Sequence, residues 1–369
     1  MQSTTERRTG LEGVVAAESS ITYVDGERGE LRYRGYGVPE LARSRSFEEV
    51  AALLWDGELP ESAEPMRIDL AAVRSIDART AAIVAEMGAW SAPLEVLRTA
   101  VSAAAIGGTD RERAARLTSL AHATVAAVAA ARAGRPAPEF RPDDTAARAL
   151  LRALTGREPS TREERVFDAI LVLHADHELN ASTFAARIVA ATEADMTGAL
   201  TAAVAALQGP KHGGANEDVA AMLAALDGPK AARAWAEAKL ARYREMTSEA
   251  RRAPEARFAG FGHRVYRVDD PRAVALRAIA VETGCDLGAA EAVREVVQRG
   301  LGLVLNVDYY SAVVYVALGV EPAMFTSIFA ASRVAGWCAH VLEQHANNRL
   351  IRPRAAYTGP SPRTVQGRR

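Results

Sequence analysis

Hydrophobic and polar positions alternate most clearly between Ile21 and Arg34, with Asp25-Gly26 and Arg28-Gly29 at the centre of the stretch. A two-residue period puts successive side chains on opposite faces of a strand, and glycine-containing dipeptides turn the chain back, so a small β-hairpin is predicted there. Beyond it the punctuation is helical. Pro39 opens a short helix, at a position where the missing N–H has no partner to lose. Ser46 and Glu49 form a capping box ahead of Val50, Leu53, Leu54 and Trp55, and Gly57 with Pro60 ends that helix. Between Glu61 and Pro93 the pattern is weak. The proline-rich run from Arg135 to Asp144 predicts a surface connection.

A long helix starts at Thr161, carries Val166, Ile170 and Leu173 on one face, and reaches the polar cluster His174-Ala175-Asp176-His177-Glu178-Leu179-Asn180. Ser182 is the expected N-cap of a helix running to about Ala194. Met196 to Leu207 forms an apolar helix stopped by Gly209-Pro210, and the next starts near Ala215 or Asn216. Further helices are expected from Pro229 to Met246, Pro271 to Thr283, Ala289 to Arg299, Asp308 to Leu318 and Phe325 to Gln344. The predicted fold class is all-α with one small hairpin. Abundant alanine favours close helix packing, and no fixed-period repeat occurs.

Composition narrows the function classes. The 369 residues can bury a substantial core and suffice for two domains. Lys and Arg number 45 against 46 Asp and Glu, a net charge of −1, so there is no basic field of the kind that drives binding to nucleic acid or an acidic membrane. The two cysteines, Cys285 and Cys338, have neither a pairing pattern nor metal spacing, and read as packed side chains in a reducing compartment. The N-terminal stretch Met1 to Arg8 is polar, and the most apolar stretches break well short of about 18 residues, so a cytoplasmic protein is expected.

Three segments carry the chemistry. Gly209-Pro210-Lys211-His212-Gly213-Gly214 and Gly260-Phe261-Gly262-His263-Arg264-Val265-Tyr266 each present a histidine from a backbone that can pass close to a ligand. Leu305-Asn306-Val307-Asp308-Tyr309-Tyr310 sets a carboxylate in a run with no other charge, where desolvation raises its pKa and makes it a better base toward a weak carbon acid. Two histidines and such a base suit proton removal beside a carbonyl and stabilisation of the oxyanion that results. Asp308 also suits a helix N-cap, and His212 an ordinary turn. Arg272, Arg333 and Arg352 each stand where a cation calls for an anion, which points to a small polycarboxylate; for Arg333, on an apolar helix, a structural salt bridge is the alternative. His174 and His177 lack the order of a zinc-protease motif and any third ligand at diagnostic spacing, so no metal site is assigned.

Taken in order, these segments resemble the citrate synthase family in its short form. The likeness includes Gly10-Leu11-Glu12-Gly13-Val14-Val15-Ala16, Leu31-Arg32-Tyr33-Arg34-Gly35-Tyr36, Leu54-Trp55-Asp56-Gly57-Glu58-Leu59-Pro60 and His174 to Thr183, then the three segments above, Ser332 to Trp337 and Asn348 to Arg354. The resemblance implies a large helical domain from residues 1–212 and 319–369, a small helical domain from 213–318, and a cleft closing between them. It implies that Asp308 takes a methyl proton from acetyl-CoA while His212 binds the thioester oxygen, and that His263 polarises the ketone of oxaloacetate. It assigns His177, Arg272, Arg333 and Arg352 to the dicarboxylate, with Arg352 reaching the partner's site in a homodimer, and Arg264 and Arg267 to CoA phosphates. No cofactor is implied, since the CoA thioester is a substrate.

The chain departs from the family pattern at Lys211, where leucine is usual, and at Ser91-Ala92-Pro93, where a His-Pro pair is common. The same residues would serve a 2-methylcitrate synthase acting on propionyl-CoA, because one methylene is discriminated by only about 1–3 kcal/mol. A catalytically silent metabolite-binding paralogue would be expected to lack His212, His263 or Asp308, and none is missing. Citryl-CoA cleavage is disfavoured, as it commonly needs a fused or partnered chain.

Overall fold

The computed structural model describes residues 9–11, 13–64, 66, 70, 76–210 and 212–364, and among these it has fifteen α-helices and one three-stranded antiparallel sheet. The all-α expectation therefore holds. Lys211, singled out above, lies outside the described residues. The hairpin pairs Thr22–Asp25 with Glu30–Tyr33, Thr22 opposite Tyr33 and Asp25 opposite Glu30. Its turn is set by Asp25, whose Oδ1 accepts from the N–H groups of Glu27 (3.0 Å) and Arg28 (2.9 Å).

Local signals account for most helix starts. Pro39 lies in the first turn of Val38–Ser44, and both halves of the Ser46/Glu49 capping box precede Phe47–Asp56. Two further boxes, Thr109/Glu112 and Ser160/Glu163, start Asp110–Arg132 and Thr161–His174; each such cap is worth roughly 1 kcal/mol. Two expectations need correction. The weak stretch before Pro93 contains the helix Ala78–Met87, capped by Asp77, which buries only Thr80 and Val84 and so carries little apolar periodicity. The helix after the polar cluster is capped by Asn180, not Ser182, and runs Ala181–Ala190. Asn180 Oδ1 accepts from the N–H groups of both Ser182 and Thr183 at 3.1 Å and from the buried Ser182 hydroxyl at 2.7 Å.

Asp110–Arg132 packs against Phe325–Ala346 at the centre of the core. From Leu117 to Ala130 the first of these is buried on every side, and its Ala, Ser, Thr and Val side chains let neighbours approach closely. It is long and apolar enough to cross a membrane, which corrects the expectation that the apolar stretches break well short of about 18 residues, yet 89% of its apolar window is buried inside this fold. A second, smaller cluster forms around Ala232, Ala236, Leu240, Phe258, Val293 and Val297.

The chemistry-bearing segments are held by backbone bonds between distant parts of the chain. Gly262 N–H donates to Val304 O (2.7 Å) and Asn306 N–H to Gly260 O (3.0 Å), so the loop bearing His263 lies along the segment leading to Asp308. The hairpin turn touches the same loop: Arg267 N–H donates to Gly26 O at 2.8 Å. Gly26 is required there because any Cβ would overlap the Val265 carbonyl.

Candidate active site

Asp308 opens the helix Val307–Ala317, but the N-cap is Asn306, whose side-chain oxygen accepts from Asp308 N–H at 3.1 Å. The capping alternative for Asp308 is thereby removed. Among the described residues no side chain hydrogen-bonds its carboxylate. Burial pushes its pKa up to about 6, opposed by the positive charges of Arg272 and Arg333. Asp308 is thus a carboxylate with a raised pKa and no side-chain donor on its oxygens, as suits a base.

His263 is fixed by its own loop. Its Nδ1 accepts from the N–H groups of Val265 (3.0 Å) and Tyr266 (3.1 Å). A nitrogen that accepts twice carries no proton, so in the neutral ring the hydrogen is on Nε2. Burial holds the ring neutral, with a pKa of about 4, although Asp270 favours its charge. His177 stands edge-on to His263, ring centres 5.6 Å apart, with its Nε2 3.2 Å from the Tyr266 hydroxyl. Its pKa is driven well below the ordinary value by burial and by Arg272 and Arg333.

His212 is neutral for the same reason, its pKa lowered to about 4 by burial and by Arg333. Its Nε2 lies 2.8 Å from Ser182 Oγ, which also accepts from Trp337 Nε1 at 3.2 Å. Sequence reading assigned Ser182 to a helix cap and missed this contact. No local signal could reveal it, because the partners are 30 and 155 residues away.

The two buried arginines differ. Arg272 is clamped by Asp270, Nε to Oδ1 at 3.0 Å and Nη2 to Oδ2 at 2.7 Å. Burial opposes its charge, but Asp270 holds its pKa above the ordinary value. Arg333, 1% exposed, makes no salt bridge among the described residues. Its Nε donates to His174 O (2.6 Å), its guanidinium lies over Phe329, and its Nη2 has no partner. Burial brings its pKa down to about 10, so it is still a cation at neutral pH. An unpaired buried cation is costly to the fold and is suited to receive an anionic group. The structural salt bridge considered for Arg333 is absent among the described residues.

Arg272 or Arg333 acts electrostatically on each of His177, His212, His263 and Asp308, which places all six in one neighbourhood. Arg264 and Arg267 are exposed on the loop beside it, and the Arg267 side chain makes a 4.0 Å ion pair with Glu27. Arg352 is exposed in the extended tail after Phe325–Ala346, and no hydrogen bond or ion pair among the described residues ties it to the histidines. His177, His263 and Asp270 bring ligand atoms within 4.8 Å of one another, a metal-compatible spacing, although Asp270 is committed to Arg272.

A family model described as citrate synthase, C-terminal domain, matches residues 10–354. The chain is 41% identical to a citrate synthase of Haloferax volcanii, across 96% of each protein. It is 37% identical to a citrate/2-methylcitrate synthase of Bacillus subtilis, across 96% of this chain and 97% of the relative. Among solved structures, the Thermoplasma acidophilum citrate synthase in complex with carboxymethyl coenzyme A and oxaloacetate superposes with a TM-score of 0.85 at 30% identity, covering 97% of both chains.

Proposed function

The chain belongs to the citrate synthase family of acyltransferases, and on that premise we propose how its own residues carry the condensation of acetyl-CoA with oxaloacetate and water to citrate and CoA. Asp308, ionised and without a side-chain hydrogen-bond partner among the described residues, takes a proton from the thioester methyl group. His212 donates an N–H to the thioester oxygen as negative charge develops there. Ser182 assists: its hydroxyl donates to Asn180 Oδ1 (2.7 Å), and by turning its one proton to His212 Nε2, 2.8 Å away, it leaves the imidazole N–H on Nδ1, free for the thioester. The enol or enolate then attacks the ketone of oxaloacetate, and His263, with its proton on Nε2, supplies the hydrogen for the new hydroxyl. Water cleaves the resulting citryl-CoA to citrate and CoA. A neutral imidazole is the right donor here, since a cation would compete with the arginines for the carboxylates.

Arg333 is the single observation that carries the reading. A buried guanidinium without an acid partner, beside Arg272 and His177, supports a site for a dicarboxylate rather than a silent fold. We assign His177, Arg272 and Arg333 to oxaloacetate, with Arg352 contributed by the partner in a homodimer; its exposed, extended segment supports such a reach. Arg264 and Arg267, on the exposed rim, are assigned to CoA phosphates. Residues 213–318 form the small domain, a division supported by the separate hydrophobic cluster within it. The unpaired cysteines support a cytoplasmic location. The mechanism requires no metal or organic cofactor.

The test is thiol release from acetyl-CoA and, in parallel, from propionyl-CoA, with and without oxaloacetate. Oxaloacetate-dependent release strongest with acetyl-CoA is the expected result. A propionyl preference would make the enzyme a 2-methylcitrate synthase, a reading favoured by the double name of the Bacillus subtilis relative and by Mycobacterium tuberculosis relatives named 2-methylcitrate synthase. Release from neither by folded protein would leave the silent paralogue. Mixed dimers of Arg352→Ala and Asp308→Ala subunits should recover activity through one complete site; none in proven heterodimers would remove Arg352 from the partner's site.

A further inference from the structure

One buried polar chain takes no part in the reaction just described. Arg187, His340 and Asp176 are all interior. His340 follows Arg333 by two helical turns on Phe325–Ala346, so both side chains leave the same face, toward the segment 174–178. Arg187 Nε donates to His340 Nδ1 at 2.9 Å. An accepting Nδ1 puts the ring proton on Nε2, which lies 3.3 Å from Asp176 Oδ2 and donates to it. The same oxygen accepts from Thr22 Oγ at 2.5 Å and from Glu178 N–H at 3.0 Å. At its outer end Arg187 also bonds Gln344 (3.2 Å) and Glu343.

What this chain holds is the segment that carries His177 and receives Arg333, two of the groups assigned to oxaloacetate. Asp176 immediately precedes His177, and the carbonyl of His174 receives Arg333 Nε. Glu178, directly after His177, has a φ of 52°, a left-handed conformation that a residue with a Cβ adopts only when its surroundings impose it. The bond from Glu178 N–H to Asp176 imposes it here. On the other side, Gly336 N–H donates to Ala175 O at 3.1 Å. The segment is therefore pinned between the first strand, through Thr22, and the helix bearing Arg333, through His340 and Gly336.

We propose that the Arg187–His340–Asp176 chain is a positioning element for the dicarboxylate pocket, setting the His177 imidazole and the Arg333 guanidinium relative to each other. Its members touch no substrate and act through His177 and Arg333. The proposal rests on the assignment of those two residues to oxaloacetate.

The experiment is calorimetric titration of oxaloacetate into the intact protein, without acetyl-CoA, for wild type, His340→Leu, His340→Gln and Thr22→Val. Melting temperatures and both Michaelis constants are measured alongside. Leucine removes the donor to Asp176, and a displacement of about 1 Å in a ligand-holding group costs on the order of 100-fold. His340→Leu should therefore weaken oxaloacetate binding by about 10- to 100-fold and raise the KM for oxaloacetate while that for acetyl-CoA stays put. Glutamine places an N–H near the position of Nε2, and should keep binding within about threefold of wild type. Thr22→Val, which removes one bond to Asp176 without changing volume much, should weaken binding by about three- to tenfold. Unchanged affinity in His340→Leu, or equal loss in the leucine and glutamine variants, would overturn the positioning role. If His340→Leu does not fold, unchanged affinity in Thr22→Val overturns it. Wild-type protein that fails to bind oxaloacetate overturns the functional assignment itself, a result separable from the others.

Discussion

Acidification should switch off proton abstraction through one residue. Asp308 has a pKa pushed up to about 6 by burial, whereas His212 and His263, at about 4, stay neutral throughout the relevant range. A base with that pKa is about 90% ionised at pH 7 and about 10% at pH 5, so kcat/KM for acetyl-CoA should fall about tenfold between them along a one-proton limb. Unfolding gives an independent check on the free protein. Because the folded-state pKa lies above the ordinary 3.8, ionising Asp308 costs stability. That cost is absent below pH ~4, grows as pH rises through 4 to 6, and is complete above, with a ceiling of about 3 kcal/mol that partial solvent contact reduces. Asp308→Asn should therefore raise stability toward denaturant at pH 8, show no gain at pH ~4, and lower turnover by orders of magnitude at every pH. Urea titrations of both proteins at several pH values, with initial rates of thiol release over the same range, test this. A stability difference independent of pH, or a rate flat from pH 7 to 5, would refute the raised pKa and with it the account of Asp308 as a tuned base.

Other perturbations probe the rest of the site. Gly336→Ala puts a Cβ onto the Ala175 carbonyl and the Asp176 carboxylate; despite the better helix propensity of alanine, it should destabilise by about 1–3 kcal/mol and raise the KM for oxaloacetate, both read by thermal melts and kinetics. Ser182→Ala removes the partner of His212 Nε2 and should lower kcat by about 10- to 100-fold with oxaloacetate affinity unchanged, as steady-state kinetics and calorimetry would show. Arg333→Met replaces an unpaired buried cation with an apolar side chain of similar length, so stability should hold or rise by about 1–4 kcal/mol while oxaloacetate binding falls by at least about 30-fold. A large loss of stability in that variant would mean that Arg333 is structural.

The helical class, the hairpin, the punctuation of most helices and the three segments bearing His212, His263 and Asp308 were legible in the amino-acid sequence. These are local properties. A capping box such as Ser46/Glu49, or glycines beside a histidine, act over a few residues and are written in neighbouring letters. Among the helices not anticipated, Ala78–Met87 buries too little apolar surface to show a period, and Asp110–Arg132 is buried on nearly every side and so shows none. Function-bearing details of another kind needed the folded chain. Whether Asp308 was a base or a cap turned on Asn306 taking the capping role. Whether Arg333 could be a strut or a cation open to a ligand turned on the lack of a salt bridge to it among the described residues, although Asp176 and Asp308 lie within its field. The states of the three histidines depend on burial, and the hold of Asp176 on the segment before His177 depends on Thr22, 154 residues away, and His340, 164 residues away. Charge state, tautomer and side-chain direction are set by desolvation and by partners brought from remote parts of the chain, and no spacing along the sequence encodes which partners those will be.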